Sequence, residues 1–372
     1  MAAHRTRLLY PSLICLSLTL GACSDGSDNR DNDNSPGNRP FQELYDQGID
    51  RYLGVYTPMT SEVDGDTTVH TFGTGDGPLC QDESAYNMST RDVGSQDLVI
   101  FLQGGGACWS ELCLSTESAT PGIPSAGILD PALDANPMKD WNVSYFNYCD
   151  GGLHASDRDW GPVGGDLNNR KQRGLHNLSA GLDVTARTFP QPRRIVLTGS
   201  SGGGFGTIFA LPLVRKVYPD VPIDVLNDSG VGVSKDGQPE FTELLFNDWN
   251  MEAFIPASCG RDCYADGHLT GYFDWQLQQD PSHQQGMMSY KNDFVISVTF
   301  AGVGPEAFER DLLREMAELE ALHPGRVASF IADGPDHTFL QFDIENLSAG
   351  GVTVVEWVES FLSGEGWETT ID

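Results

Sequence analysis

The sequence predicts an α/β fold built on a doubly wound, mostly parallel sheet, and three observations carry that reading. Short apolar, β-prone runs alternate with segments of helical periodicity, the pattern of strand–helix–strand units. The strongest run, residues 97–103 (DLVIFLQ), is apolar at almost every position, as a central strand covered on both faces should be. Two of the runs end in glycines, at Gly104-Gly105-Gly106 and between Gly199 and Gly203. Ligands of open parallel sheets sit beyond the carboxyl ends of the strands, so chemistry is expected at those glycine-rich ends.

The further elements follow in order. Residues 141–148 (WNVSYFNY) are aromatic and β-prone and read as the next strand. Residues 193–198 (RRIVLT) form a third, followed by a helix through about Val217 that Pro212 should kink or shorten. Residues 223–226 (IDVL) read as a fourth strand, and residues 294–300 (FVISVTF) and 326–332 (RVASFIA) as two more. Residues 305–322 carry the periodicity of an amphipathic helix, and residues 352–362 close the fold with another.

The chain has 372 residues, 39% of them hydrophobic, enough for one large domain with a substantial core. Its start differs from the rest. His4, Arg5 and Arg7 precede a short apolar stretch, and Leu20-Gly21-Ala22-Cys23 follows, so residues 1–22 read as a secretory signal. A cysteine directly after Leu-Gly-Ala resembles the bacterial lipoprotein box, which makes Cys23 the expected lipidation site and new N-terminus. Residues 24–40 contain no apolar side chain, so residues 23–40 are expected to be a lipid-anchored flexible tether to a domain spanning residues 41–372. The expected location is outside the inner membrane, on the periplasmic or cell-surface side. Membrane contact is expected only through that lipid.

A formal net charge of −31 makes nucleic acid and anionic membrane surfaces poor partners. Of eight cysteines, Cys15 lies in the signal and Cys23 in the lipid box. Cys80, Cys108, Cys113, Cys149, Cys259 and Cys263 remain, an even number that in an exported protein points to three disulfides, with the pairing open. No Cys-x-x-Cys or His-x-x-x-His spacing occurs, so no metal site is expected.

Gly199-Ser200-Ser201-Gly202-Gly203 matches Gly-x-Ser-x-Gly, the nucleophile elbow. Its serine must sit on a sharp strand-to-helix turn, and the flanking glycines let the backbone pass closely. An apolar strand precedes the motif and a helical segment follows, so Ser201, in register, is the expected nucleophile and Ser200 is not. This elbow makes the fold α/β-hydrolase-like, with a single catalytic domain. A serine nucleophile needs a histidine base and an acid that orients it, in the chain order Ser, Asp or Glu, His. His337 lies in a loop after the last strand candidate and before the closing helix, where the base belongs. Asp228, directly after a strand, and Asp274 both precede it and compete as the acid. Backbone N–H groups of Gly105, Gly106 and Gly202 are the expected oxyanion hole. Trp109, Tyr145, Phe146 and Tyr148 are expected near the cleft.

These residues resemble the pectin acetylesterases and the related Notum-type carboxylesterases from about residue 78 to residue 339. The resemblance is carried by Pro78-Leu79-Cys80-Gln81-Asp82, residues 98–109 (LVIFLQGGGACW), Tyr148-Cys149-Asp150-Gly151, the elbow, Asn227-Asp228-Ser229-Gly230 and Phe273-Asp274-Trp275-Gln276. The family commonly has glutamate at Gln103, an aromatic near Gly106-Ala107 and a cysteine soon after its histidine, where Thr338-Phe339 stands here. The resemblance implies Asp274 rather than Asp228 as the acid. It also implies a cofactor-free serine esterase that removes short acyl groups, such as acetyl, from polysaccharide or small acyl esters. Hydrolysis of longer acyl, polyester or peptide substrates, and an inactive hydrolase-like binding lipoprotein, are the alternatives.

Overall fold

In the computed structural model, which describes residues 39–162, 165 and 168–372, the strongest run forms the strand Asp97–Leu102, buried along its whole length. Its alternating side chains feed two cores. Leu98, Ile100 and Leu102 pack with the helices Gly174–Thr188, Gly202–Val217 and Pro305–Leu322 on one face. Val99 and Phe101 pack with the closing helix Val354–Ser363 on the other.

Among the described residues the central sheet has ten strands. Their order is Thr60–Asp64, Thr67–Thr71, Asn87–Arg91, Asn142–Phe146, Asp97–Leu102, Arg194–Ser200, Ile223–Asp228, Gln285–Tyr290, Val327–Ala332 and Thr370–Ile371. The first three join antiparallel, and every pairing from Asn142–Phe146 onward is parallel. The chain leaves Asp97–Leu102 for a neighbour on one side, then returns to Arg194–Ser200 on the other. That reversal opens a crevice at the carboxyl ends of these two strands.

The expected elements differ from the structure in three places. Residues 294–300 are a wide-turned helical segment, Val295–Phe300, rather than a strand. Phe294 and Val298 are exposed, while Val295, Ile296, Thr299 and Phe300 line a cavity, so the run is apolar without being a buried strand. The strand at that level is Gln285–Tyr290, one segment earlier. Pro212 does not shorten its helix, which runs from Gly202 to Val217. The Ile208 carbonyl, deprived of its N–H partner by the proline, accepts a 2.7 Å hydrogen bond from Gln276 Nε2.

Arg39–Asp372 forms one compact unit. The disulfides are Cys80–Cys149, Cys108–Cys113 and Cys259–Cys263. The first ties the segments flanking the antiparallel edge, and the second closes the hairpin Gly106–Trp109/Leu112–Ser115. The signal sequence, Cys23 and the tether up to residue 38 lie outside the described residues. No helix of the described residues is long and apolar enough to cross a membrane.

Candidate active site

Ser201 joins the strand Arg194–Ser200 to the helix Gly202–Val217 at φ 59° and ψ −122°, a conformation that costs a non-glycine residue about 1–3 kcal/mol. Neighbours hold it there. Its N–H donates to Asp228 O at 2.8 Å, and its carbonyl accepts from Phe205 N at 3.0 Å. Gly104 presses against this turn, where a Cβ would stand 2.2 Å from Ser200 O and 2.8 Å from Ser201 Cβ. Ser200 is buried and its hydroxyl donates to Asp228 Oδ2 at 2.6 Å, whereas Ser201 is half-buried and lines a cavity.

The loop carrying His337 is fastened to the same aspartate. Phe339 N–H donates to Asp228 Oδ1 at 2.9 Å, and Leu340 N–H donates to Oδ2 at 3.0 Å. Thr338 N–H donates to Ser229 Oγ at 3.1 Å. Burial raises the Asp228 carboxyl above the usual range, and these donors oppose the rise. Asp228 therefore links the elbow to the histidine loop without touching the imidazole. Asp228→Asn places an amide N–H₂ among donors, and we expect it to cost about 3 kcal/mol of stability, read from urea unfolding. An unchanged unfolding midpoint would contradict that clamp.

The acid beside His337 is Asp293. Its Oδ2 lies 2.7 Å from His337 Nδ1, and its Oδ1 accepts from Ile296 N at 3.0 Å. Asp293 is fully buried in the turn after Gln285–Tyr290. An ionised carboxylate only accepts, so in the neutral imidazole this contact places the ring proton on Nδ1 and leaves the lone pair on Nε2. That Nε2 is buried and has no hydrogen-bond partner among the described residues. Asp274, expected at this position, lies instead on the helix Thr270–Gln279 and pairs with His323 Nε2 at 2.7 Å. Its carboxylate meets His323 at the C-terminal end of Pro305–Leu322, so the structure pairs Asp274 with His323 and Asp293 with His337.

Gly106 lies beside Gly202, where a Cβ on Gly202 would stand 3.1 Å from Gly106 O, while Gly105 packs against Thr116 and Tyr148. Gly106 itself has φ +81°, and a Cβ there would meet Leu114 O at 1.9 Å. Tyr148 braces this loop by donating from its hydroxyl to Gly106 O at 2.9 Å. His154 Nε2 donates to Gln103 O at 2.8 Å. Burial pushes the His154 pKa down, against the pull of the Asp150 carboxylate. Gly202 opens its helix, so its N–H has no intrahelical acceptor. Of the aromatics expected near the cleft, Trp109 lines the cavity and Tyr148 underlies the loop, while Tyr145 and Phe146 are core.

The cavity beside Ser201 and Gly202 has a volume of about 270 Å³, and among the described residues no charged side chain lines it. Elsewhere among the described residues, Asp236, His268 and Asp311 bring metal-ligand atoms within 4.8 Å of one another. Arg314 donates to Asp236 and Glu315, and Ser234 N–H donates to His268 Nδ1, so that cluster is already matched from within.

The chain is 28% identical over 171 residues to the palmitoleoyl-protein carboxylesterase notum2 of Xenopus laevis, an alignment covering 41% of this chain. The chain spans about a third (34%) of the length of that curated relative. The pectinacetylesterase family profile matches residues 63–260, from the antiparallel edge through the glycine loop and elbow to beyond the strand Ile223–Asp228. That match covers more than half of the chain, which belongs to the pectinacetylesterase family.

Proposed function

We propose that this protein is a serine carboxylic-ester hydrolase with an α/β-hydrolase fold and an acyl-serine intermediate. The observation that carries the reading is His337 Nε2, buried and without a hydrogen-bond partner among the described residues, on an imidazole held at Nδ1 by a buried carboxylate. In this reading Nε2 takes the Ser201 proton as Oγ attacks the ester carbonyl, and returns it to the leaving alcohol. Water then resolves the acyl-serine by the same route. Asp293 keeps the tautomer and stabilises the imidazolium. The Gly105, Gly106 and Gly202 N–H groups stabilise the oxyanion, each donor contributing roughly 10²–10³ in rate. These steps draw on no metal or cofactor.

The acyl group enters the uncharged cavity beside Ser201, and the alcohol leaves toward solvent. Short acyl esters, acetyl groups on polysaccharide among them, are the proposed substrates. The cavity's apolar walls favour uncharged acyl chains over charged ones. Two measurements test the proposal. The protein should react with a fluorophosphonate probe at Ser201, and should turn over p-nitrophenyl acetate and butyrate well and palmitate poorly. A protein that neither labels nor hydrolyses any of the three is not an esterase, and the binding-lipoprotein alternative replaces this reading.

A further inference from the structure

The cavity beside Ser201 is lined in part by three side chains, Leu153, Phe205 and Phe300. The same three also line a second, smaller hollow of about 20 Å³. These shared side chains partition the two hollows, and the ring centroids of Phe205 and Phe300 are 5.4 Å apart. Phe205 stands one helical turn after Ser201, so the partition lies within reach of an acyl chain attached to the nucleophile.

We propose that Phe300, against Phe205, is the stop that sets the longest acyl chain this site accepts, and that the second hollow is the closed continuation of the acyl channel. This rests on the esterase reading above. The hollow suits a hydrocarbon tail, since Phe209, Leu245, Phe246, Trp249, Met251 and Leu269 line it. Its polar lining is slight. Thr242 spends its hydroxyl on Gly267 O, and Ser234 Oγ is the one lining side-chain atom without a partner among the described residues. The two rings differ in how firmly they are held. Phe205 is 3% exposed in the elbow helix, whereas Phe300 is half-buried at the end of a wide-turned segment. Ala301 N–H there reaches back five residues to Ile296 O. Phe300 is thus the side of the partition that substitution opens with least damage to the elbow.

Each methylene admitted past the stop should raise kcat/KM about fourfold, the factor expected for burying one such group. The experiment uses the full chain and a p-nitrophenyl ester series from acetate to palmitate. In the wild-type protein kcat/KM should climb with chain length and then fall where the tail meets the rings. In Phe300→Ala the ratio of dodecanoate to acetate turnover should rise by about tenfold or more, the yield of two or more extra methylenes. In Phe300→Trp the same ratio should fall and the maximum should move to a shorter ester. An unchanged ratio in both variants, in protein that still reacts with a fluorophosphonate, overturns the stop while leaving the esterase reading intact. A wild-type protein that hydrolyses no ester overturns both.

Discussion

Asp293→Asn is expected to lower kcat by roughly 10⁴-fold with little change in KM, the loss seen when a triad carboxylate becomes an amide of the same shape. The cause is proton placement. In the proposed mechanism Asp293 holds the ring proton on His337 Nδ1, whose nitrogen lies 2.7 Å from Asp293 Oδ2. An asparagine amide can turn its N–H₂ toward Nδ1, which moves the ring proton to Nε2 and leaves nothing there to accept from Ser201. Asp274→Asn should leave kcat near the wild-type value. Its partner is His323, and a pair at that partly exposed helix end contributes no more than about 1 kcal/mol to stability. Steady-state kinetics on the two variants side by side decide the matter. The reverse ranking would return the acid to Asp274 and require the His337 loop to rearrange.

Ser201→Ala and His337→Ala are each expected to remove turnover by roughly 10⁶-fold, and the double variant to lose hardly more, because the members of a triad act as a unit. Residual catalysis of roughly 10³-fold over water would come from the glycine-loop donors and from binding. Ser200→Ala separates the two serines. The Ser200 hydroxyl is committed to Asp228 at 2.6 Å, so its loss should show in unfolding rather than in fluorophosphonate labelling. Labelling that survives in Ser201→Ala and vanishes in Ser200→Ala would shift the elbow by one residue.

Much of the frame was legible from local pattern. Residues 97–103 and 193–198 are apolar enough to be strands in any setting, and both form the sheet's centre. The predicted helix 305–322 coincides with Pro305–Leu322, since its periodicity reflects one buried face. The glycine run after one strand and Gly-x-Ser-x-Gly after another marked the crevice before any contact was known. The miss came between residues 285 and 300. Gln285–Tyr290 (QGMMSY) has no β-branched residue and is a strand because its neighbours pair with it, in register with Val225–Asp228 and Val327–Ala332. Residues 294–300 have the composition of a strand, yet follow Asp293 as wide helical turns that face the cavity. Reading the Asn292-Asp293 turn as the end of the preceding segment would have put an acid at the carboxyl end of a strand, in the order Ser201, Asp293, His337.

The sequence by itself therefore determined the mostly parallel α/β sheet, the sharp glycine-flanked turn at Ser201 and the loop that carries His337. Each is a local property, set by side-chain periodicity and by glycines where the backbone must turn or approach closely. Which carboxylate meets His337 was decided by the tertiary structure. Asp228, Asp274 and Asp293 all stand between Ser201 and His337 in the chain, and nothing local ranks them. Parallel pairing of strands distant in sequence carries Asp228 beneath the elbow and Asp293 beside the imidazole, while a helix carries Asp274 off to His323. A hydrogen bond between residues 44 positions apart depends on how the sheet is stacked, and that is decided only when the two cores close.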